Sequence, residues 1–229
     1  MTAALGDIEA WIFDLDNTLY PASCNLFEQV DGRITAFIAE RFGLPPDRAR
    51  RMQKQYFRDF GTTLRGLMVE HDVDPESYLE YVHAIDITPV TPDPRLDGAL
   101  ARLAGRKFIF TNGSARHAAN VTGRLGITGR FDDVFDIAAA GWLPKPDPRP
   151  YQTMIERFAI DPARACMVED IARNLVPARA LGMATVWVTS PMEWAQPGHG
   201  GVGGASHIDH VVEDLVGWLD GLSAGGGAG

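Results

Sequence analysis

A chain of 229 residues with 45% hydrophobic and 22% charged residues holds enough apolar material for a packed core, and its length exceeds that of the usual single domain. One large domain, or one domain with an insert, is therefore expected. The net charge of −9 argues against a nucleic-acid polymer or an anionic membrane as partner, so an anionic small molecule would have to meet a local positive site.

Two cysteines, Cys24 and Cys166, cannot build a framework of bridges, and Cys166 sits in an apolar run as a small core residue. The N-terminal stretch lacks a basic region followed by an apolar one, and no apolar run approaches the roughly 20 residues of a membrane span. These features predict a soluble, cytoplasmic protein.

In chain order, the first apolar run is Ala10-Trp11-Ile12-Phe13. It does not alternate polar with apolar residues, which suits a strand buried on both faces of a parallel sheet. From Pro21 to Pro92 helical stripes follow. Phe27, Val30, Ile34, Phe37 and Ile38 share one face, Ala49, Met52, Tyr56 and Phe60 share another, and prolines at 45, 46, 75, 89, 92 and 94 punctuate the stretch. Apolar runs return at Lys107-Phe108-Ile109-Phe110, Cys166-Met167-Val168 and Thr185-Val186-Trp187-Val188. Between them lie helical stripes at Ala118, Val121 and Leu125 and at Tyr151, Met154, Ile155 and Phe158. Strands alternating with helices indicate an α/β fold with a doubly wound, mostly parallel sheet and an inserted α-helical domain. The expected division is residues 1–20 and 93–222 for the α/β core, 21–92 for the helical insert and 223–229 for a disordered, glycine-rich tail.

Open parallel sheets bind ligands beyond the carboxyl ends of their strands. The first strand delivers Asp14-Leu15-Asp16-Asn17-Thr18 there, the second Thr111-Asn112-Gly113-Ser114, and a later one Glu169-Asp170. A turn after the strand lets one of Asp14 and Asp16 attack phosphorus while the other carries protons, although such pairs also form turns and cap helices. The Thr111 hydroxyl with the Asn112 and Gly113 amides suits an anion at a helix N-terminus, and an ordinary cap uses the same amides. Lys145, flanked by Pro144 and Pro146, is either a stiffly placed ammonium group or a solvated loop lysine. Glu169 and Asp170 could cap the next helix, but two acids ending a buried strand repel each other unless a cation is present, and magnesium is the natural one. No Gly-x-x-x-x-Gly-Lys-Ser/Thr loop occurs, which disfavours triphosphate-driven chemistry. His199 reads as a loop residue, and His207 and His210 read as surface residues.

Asp14-x-Asp16-x-Thr18, Thr111, Lys145 and Glu169-Asp170 resemble, in order, the four motifs of the haloacid dehalogenase superfamily, over a core from Trp11 to Val188. The resemblance implies a Rossmann-like core with a mobile helical cap, and Mg2+-dependent hydrolysis of a phosphate monoester through a phospho-aspartyl intermediate. It makes Asp14 the nucleophile and a metal ligand. Asp16 becomes the general acid/base and supplies its backbone carbonyl to the metal. Thr111 and Lys145 hold the transferring phosphoryl group, Asp170 completes the metal site, and Glu169 acts from behind it or through water. Asn174 stands where many members carry a further Asp.

The segment Phe60-Gly61-Thr62-Thr63-Leu64-Arg65-Gly66-Leu67, with Asp16-Asn17-Thr18-Leu19-Tyr20-Pro21, is similar to the pyrimidine 5′-nucleotidase branch. That similarity implies a pyrimidine nucleoside 5′-monophosphate as substrate, with Thr62, Thr63 and Arg65 as cap contacts and Asn112 and Gly113 at the phosphate. Arg65 is equally readable as a surface helix residue. The expected partner is a small phosphate monoester, bound by a monomer or homodimer. The competing readings are a dehalogenase, which the presence of Asp16 speaks against, a broad sugar-phosphate phosphatase or phosphomutase with the same core motifs, and a non-enzymatic phosphate-binding protein.

Overall fold

The structure, a computed structural model, describes residues 5–198 and 205–225. Its six strands are β1 (Ala10–Phe13), β2 (Arg106–Phe110), β3 (Asp133–Phe135), β4 (Ala165–Glu169), β5 (Ala184–Val188) and β6 (His210–Val212). They form one sheet in the order β3-β2-β1-β4-β5-β6, with every neighbouring pair parallel. The four strands read from apolar runs are the four at the centre of the sheet. β3 and β6 went unread because each has three residues and only one of them is buried, which leaves no continuous apolar run.

Alternate residues of the central strands feed two separate cores, as the pleat requires. Trp11 and Phe13 pack with Ile109, Val168 and Val186 under α5 (Pro94–Arg102), α6 (Ala115–Leu125) and α9 (Leu215–Gly225). Ala10 and Ile12 pack with Phe108, Phe110 and Met167 under α7 (Pro148–Phe158) and α8 (Leu175–Ala180). Covering both faces with helices removes the centre of the sheet from water, which is why its central strands can be apolar there.

Between β1 and α5 lie α1 (Leu26–Phe42), α2 (Pro46–Phe60), α3 (Thr63–His71) and α4 (Pro75–Val82). Pro46, Pro75 and Pro94 sit in first helical turns, where a missing N–H removes no helical bond. These helices have a core of their own, including Ile38, Ala49, Leu67 and Tyr78, which Ile137 joins from the α/β part. α2 and α3 approach closely at Gly66, where a Cβ would lie 2.5 Å from the Tyr56 ring, so only glycine fits.

Two expectations at the C-terminal side change. α9 runs to Gly225 and so takes in the first residues of the expected tail, while residues 226–229 and His199 lie outside the described residues. His207 is buried rather than on the surface, its Nε2 paired with the Ala172 carbonyl at 2.9 Å. Both cysteines are free, and Cys166 is buried. Among the described residues no helix is long and apolar enough to cross a membrane.

Candidate active site

The sheet runs outward from β1 in two directions, to β2 and β3 on one side and to β4, β5 and β6 on the other. A crevice opens at the carboxyl ends of such a switch point. Asp14 follows β1 directly, and its amide donates to the Val168 carbonyl at 2.9 Å, fixing it beside β4. The chain then reverses: Asn17 adopts a left-handed φ of 62°, which Asn tolerates better than most residues, and the Leu19 amide donates to the Leu15 carbonyl at 3.0 Å. Asp16 is thereby turned to the rim of the crevice. Thr111 follows β2, and its Oγ1 accepts the Gly113 amide at 2.9 Å. Ser114 caps α6 by accepting the His117 amide at 3.2 Å.

Beneath the crevice lies a buried charge cluster. Lys145 is 2% exposed, and its Nζ donates to Asp14 Oδ1, Glu169 Oε2 and the Phe110 carbonyl, each at 2.7 Å. Those three donors are all the ammonium group has. The solvated loop lysine is thus ruled out, and the ammonium group is set directly against Asp14, the residue expected to receive the phosphoryl group. It lies behind Asp14, where it neutralises carboxylates. Burial disfavours its charged form, but Asp14 and Glu169 more than offset that and hold the ammonium well above its usual range. Glu169 is fully buried, with Oε1 accepting the Ile171 amide at 3.1 Å, so both its oxygens are engaged.

One lysine does not balance three acids. Burial, followed by the charge of Glu169, pushes the Asp14 carboxyl up to about 7 against the pull of Lys145. Burial, Glu169 and Asp14 likewise push Asp170 well above the carboxylate range. Oxygen atoms of Asp14, Glu169 and Asp170 lie within 4.8 Å of one another, and Asp170 Oδ2 is buried without a hydrogen-bond partner among the described residues. An excess of buried negative charge with a spare oxygen fits a hard divalent cation such as Mg2+. The Asp16 carboxylate is not part of this group.

Asp16 is held elsewhere. Its Oδ1 accepts the Tyr20 hydroxyl at 2.6 Å and pairs with His117 Nε2 at 2.8 Å. Burial alone would raise its carboxyl, but the charge and hydrogen bond of His117, then the Tyr20 bond, outweigh this and hold it at about 2. His117 is raised in turn: burial opposes its charge, and Asp16 overrides burial. The His83 ring stacks on His117 at 4.4 Å, and burial followed by the neighbouring His117 lowers it to about 3.

Above these groups the crevice closes into a cavity of about 160 Å3. Asp14, Asp16, Thr111, Asn112, Gly113 and Asp170 line its floor. Phe27, Val30, Ile34, Leu64, Leu79 and Val82 of the inserted helices line its roof, and Trp194 closes one side against Phe27 and Phe57, at ring separations of 5.4 and 5.9 Å. Thr62 and Thr63 reach the cavity, and Asn174 lines it from the position where a further Asp was considered. Arg65 does not line it. It borders a separate recess with Pro144, Asp147 and Arg149, because α3 turns its Leu64 side, not its Arg65 side, toward the cavity.

Sequence reasoning missed Tyr20, His83, His117 and Trp194. His117 had a signal: it lies four residues before Val121, in register with the buried stripe of α6, and a titratable ring there needs a partner. Trp194 comes from a single 3-10 turn, Glu193–Ala195, too short to show a periodicity that would flag it.

A family model of haloacid dehalogenase-like hydrolases matches residues 8–182. Phosphate metabolism protein 8 of Saccharomyces cerevisiae is 26% identical over 196 residues, which cover 78% of this chain and 60% of the yeast protein, so the chain spans about three fifths of that relative. Phosphoglycolate phosphatase of Neisseria gonorrhoeae is 27% identical over 205 residues, covering 82% of this chain and 83% of that one. In fold, the chain is similar to the crystal structure of a HAD phosphatase from Thermococcus onnurineus, with a TM-score of 0.62 and 20% identity over 94% of this chain and 98% of the other. With the match spanning most of the chain and the motif residues gathered around one crevice, the protein belongs to the haloacid dehalogenase-like hydrolase family.

Proposed function

We propose that this chain is a Mg2+-dependent phosphomonoester hydrolase whose nucleophile is Asp14, with pyrimidine nucleoside 5′-monophosphates as preferred substrates. The observation that carries the reading is the buried cluster of Asp14, Lys145, Glu169 and Asp170 beneath a cavity that also receives Asp16 and Thr111. A carboxylate oxygen of Asp14 attacks phosphorus as the bond to the leaving oxygen breaks, and Asp16 delivers the proton that oxygen needs. Asp16 then takes a proton from water, which attacks the phospho-aspartate and frees phosphate and Asp14. A phosphate dianion entering the cavity raises the Asp16 carboxyl by like-charge repulsion, toward the protonated form that the first step uses. Thr111 and the Asn112 and Gly113 amides are the groups offered to the phosphoryl oxygens.

Asp14, Asp170 and the Asp16 carbonyl are the residues that would hold Mg2+, with Glu169 behind them. The cation would neutralise carboxylate and phosphate charge together.

Residues 21–92 act in this reading as a cap that opens for exchange and closes to exclude water, hinged near Leu19-Tyr20-Pro21 and Thr88–Pro94. The apolar roof supports that role. It also supports the substrate assignment, since none of the described residues lining the cavity is Lys or Arg, which leaves a second anionic group without a partner. Thr62 Oγ1 accepts the Arg65 amide and keeps its hydrogen free, while Thr63 Oγ1 donates to the Gln53 carbonyl and keeps a lone pair. One free donor and one free acceptor suit cytosine and uracil, whose N3 positions have opposite character. The protein would act in the cytoplasm, as a monomer or homodimer.

The test is kcat/KM for UMP, CMP, AMP, GMP, phosphoglycolate and several sugar phosphates. UMP and CMP should lead by about 10- to 200-fold. AMP, phosphoglycolate or a sugar phosphate turned over as well as UMP removes the nucleotide assignment and leaves the phosphatase.

A further inference from the structure

The Asp16 carboxylate is gripped by one oxygen only. Both the Tyr20 hydroxyl, at 2.6 Å, and His117 Nε2, at 2.8 Å, meet Oδ1, and no hydrogen bond among the described residues holds Oδ2. Tyr20 is packed into the core beside Leu19, and His117 is 2% exposed, so neither donor can drift. Rotation of the carboxylate would break both bonds at once, which leaves Oδ2 pointing in one direction on a side chain that is 26% exposed and lines the cavity.

His117 is itself braced. Its backbone amide is tied to Ser114 Oγ, and one face of its ring is covered by His83 at 4.4 Å with planes 12° apart. His83 ends α4 and pairs through Nδ1 with the same Ser114 Oγ at 3.0 Å. A residue of the inserted helices therefore completes the packing around a residue of the α/β core that in turn orients Asp16.

We propose that His117, with Tyr20 beside it and His83 stacked behind it, is the positioning residue for Asp16: it fixes Oδ1 so that Oδ2 is the oxygen that passes the proton. Asp16 moves the proton, and His117, whose ring also borders the cavity, acts through its bond to Asp16. The inference rests on the reading of Asp16 as general acid/base. Misaimed by an ångström or less, a proton donor loses much of its effect, because proton transfer requires hydrogen-bond reach. The His83 contact adds that the orientation is complete only while α4 lies against α6.

A proton donor matters in proportion to how badly the leaving oxygen needs one. p-Nitrophenolate leaves without a proton, whereas an alkoxide does not. The experiment is kcat/KM, which covers the steps through departure of the leaving group, for p-nitrophenyl phosphate and for an alkyl phosphate the enzyme is shown to turn over. Wild type is compared with Asp16→Asn, His117→Phe, His117→Gln and Tyr20→Phe, each checked for an unchanged melting profile. His117→Phe should lower the alkyl-to-aryl ratio by about tenfold or more, within the roughly 10²- to 10⁴-fold that loss of the acid itself removes in Asp16→Asn. His117→Gln, which can place an N–H near the Nε2 position, should recover most of that ratio, and Tyr20→Phe should shift it in the same direction by less. If His117→Phe does not fold, Tyr20→Phe carries the test alone. Equal losses on both substrates in the His117 and Tyr20 variants, with Asp16→Asn still selective, would overturn the positioning role and leave the acid/base reading standing. An Asp16→Asn variant with no selective loss would instead remove that reading, and this proposal with it.

Discussion

The floor and the roof of the cavity are built on opposite principles. The floor rests on a charge cluster in which Lys145 meets Asp14 and Glu169 at 2.7 Å with Asp170 beside them, and that cluster is almost wholly buried. The roof is a set of half-buried and buried apolar side chains, such as Phe27, Ile34 and Leu79, with no Lys or Arg among the described lining residues. Charges at fixed short distances can act on phosphorus, whereas an apolar wall can only exclude water and select by shape. On the proposed function, the difference would put chemistry at the strand ends and selectivity in the inserted helices.

Changes to the buried charge cluster of Asp14, Lys145, Glu169 and Asp170 should be catastrophic and indifferent to substrate. Asp14→Asn keeps the shape and removes the nucleophile, so kcat should fall by about 10⁴-fold or more on every phosphate ester. Lys145→Met comes next. It strands two buried carboxylates, and loss of one partner of a buried pair costs about 3–5 kcal/mol, to be read as a lower urea midpoint together with loss of activity. Retained stability in Lys145→Met would mean that the cluster is not balanced as its distances indicate.

The cation prediction probes the floor more gently. The Asp14 carboxyl, raised from 3.8 to about 7, and the raised Asp170 keep protons in the metal-free folded chain that the unfolded chain has already released. Stability of the metal-free protein should therefore fall as pH rises from about 4 to about 7. A cation that binds the ionised acids opposes that loss, so Mg2+ should raise the melting temperature more at about pH 8 than at about pH 5. Excess chelator should abolish turnover, and Mg2+ should restore it. An increment that does not depend on pH would separate any metal effect from these acids.

Changes to the roof should be small and substrate-dependent. Phe27→Ala opens the wall beside Trp194 and should cost UMP about tenfold in kcat/KM, with a smaller loss for p-nitrophenyl phosphate. Arg65→Ala should alter either substrate by no more than about twofold, the scale of a surface substitution. A large, UMP-selective loss in Arg65→Ala would show that the cap moves far enough in turnover to bring that side chain from its recess to the base.

Legibility in the sequence follows the same division. The floor residues sit immediately after short, wholly apolar strands, so Asp14, Thr111 and Glu169-Asp170 could be placed at one edge by strand ends alone. The burial of Lys145 could not be read, because a lysine between prolines looks solvated until its three carboxylate and carbonyl partners are known. The roof was legible as helices but not as a wall: periodicity put Phe27, Val30 and Ile34 on one face of α1 without saying that the face looks onto a cavity. Arg65 and Thr62 are three residues apart in sequence yet border different recesses, since helix phase rather than proximity along the chain decides which side chain enters. His117 and Tyr20 meet on Asp16 from positions 97 residues apart, a contact made by the sheet and invisible to any local pattern.

The central claim is that the floor makes a covalent bond to phosphorus through Asp14. The most direct measurement is a crystal structure of the protein grown with Mg2+ and beryllium fluoride, which imitates an acyl phosphate. The account predicts a trifluoroberyllate group bonded to an Asp14 carboxylate oxygen. A fluoride adduct on any other residue, or one lying in the cavity without a bond to Asp14, would contradict it.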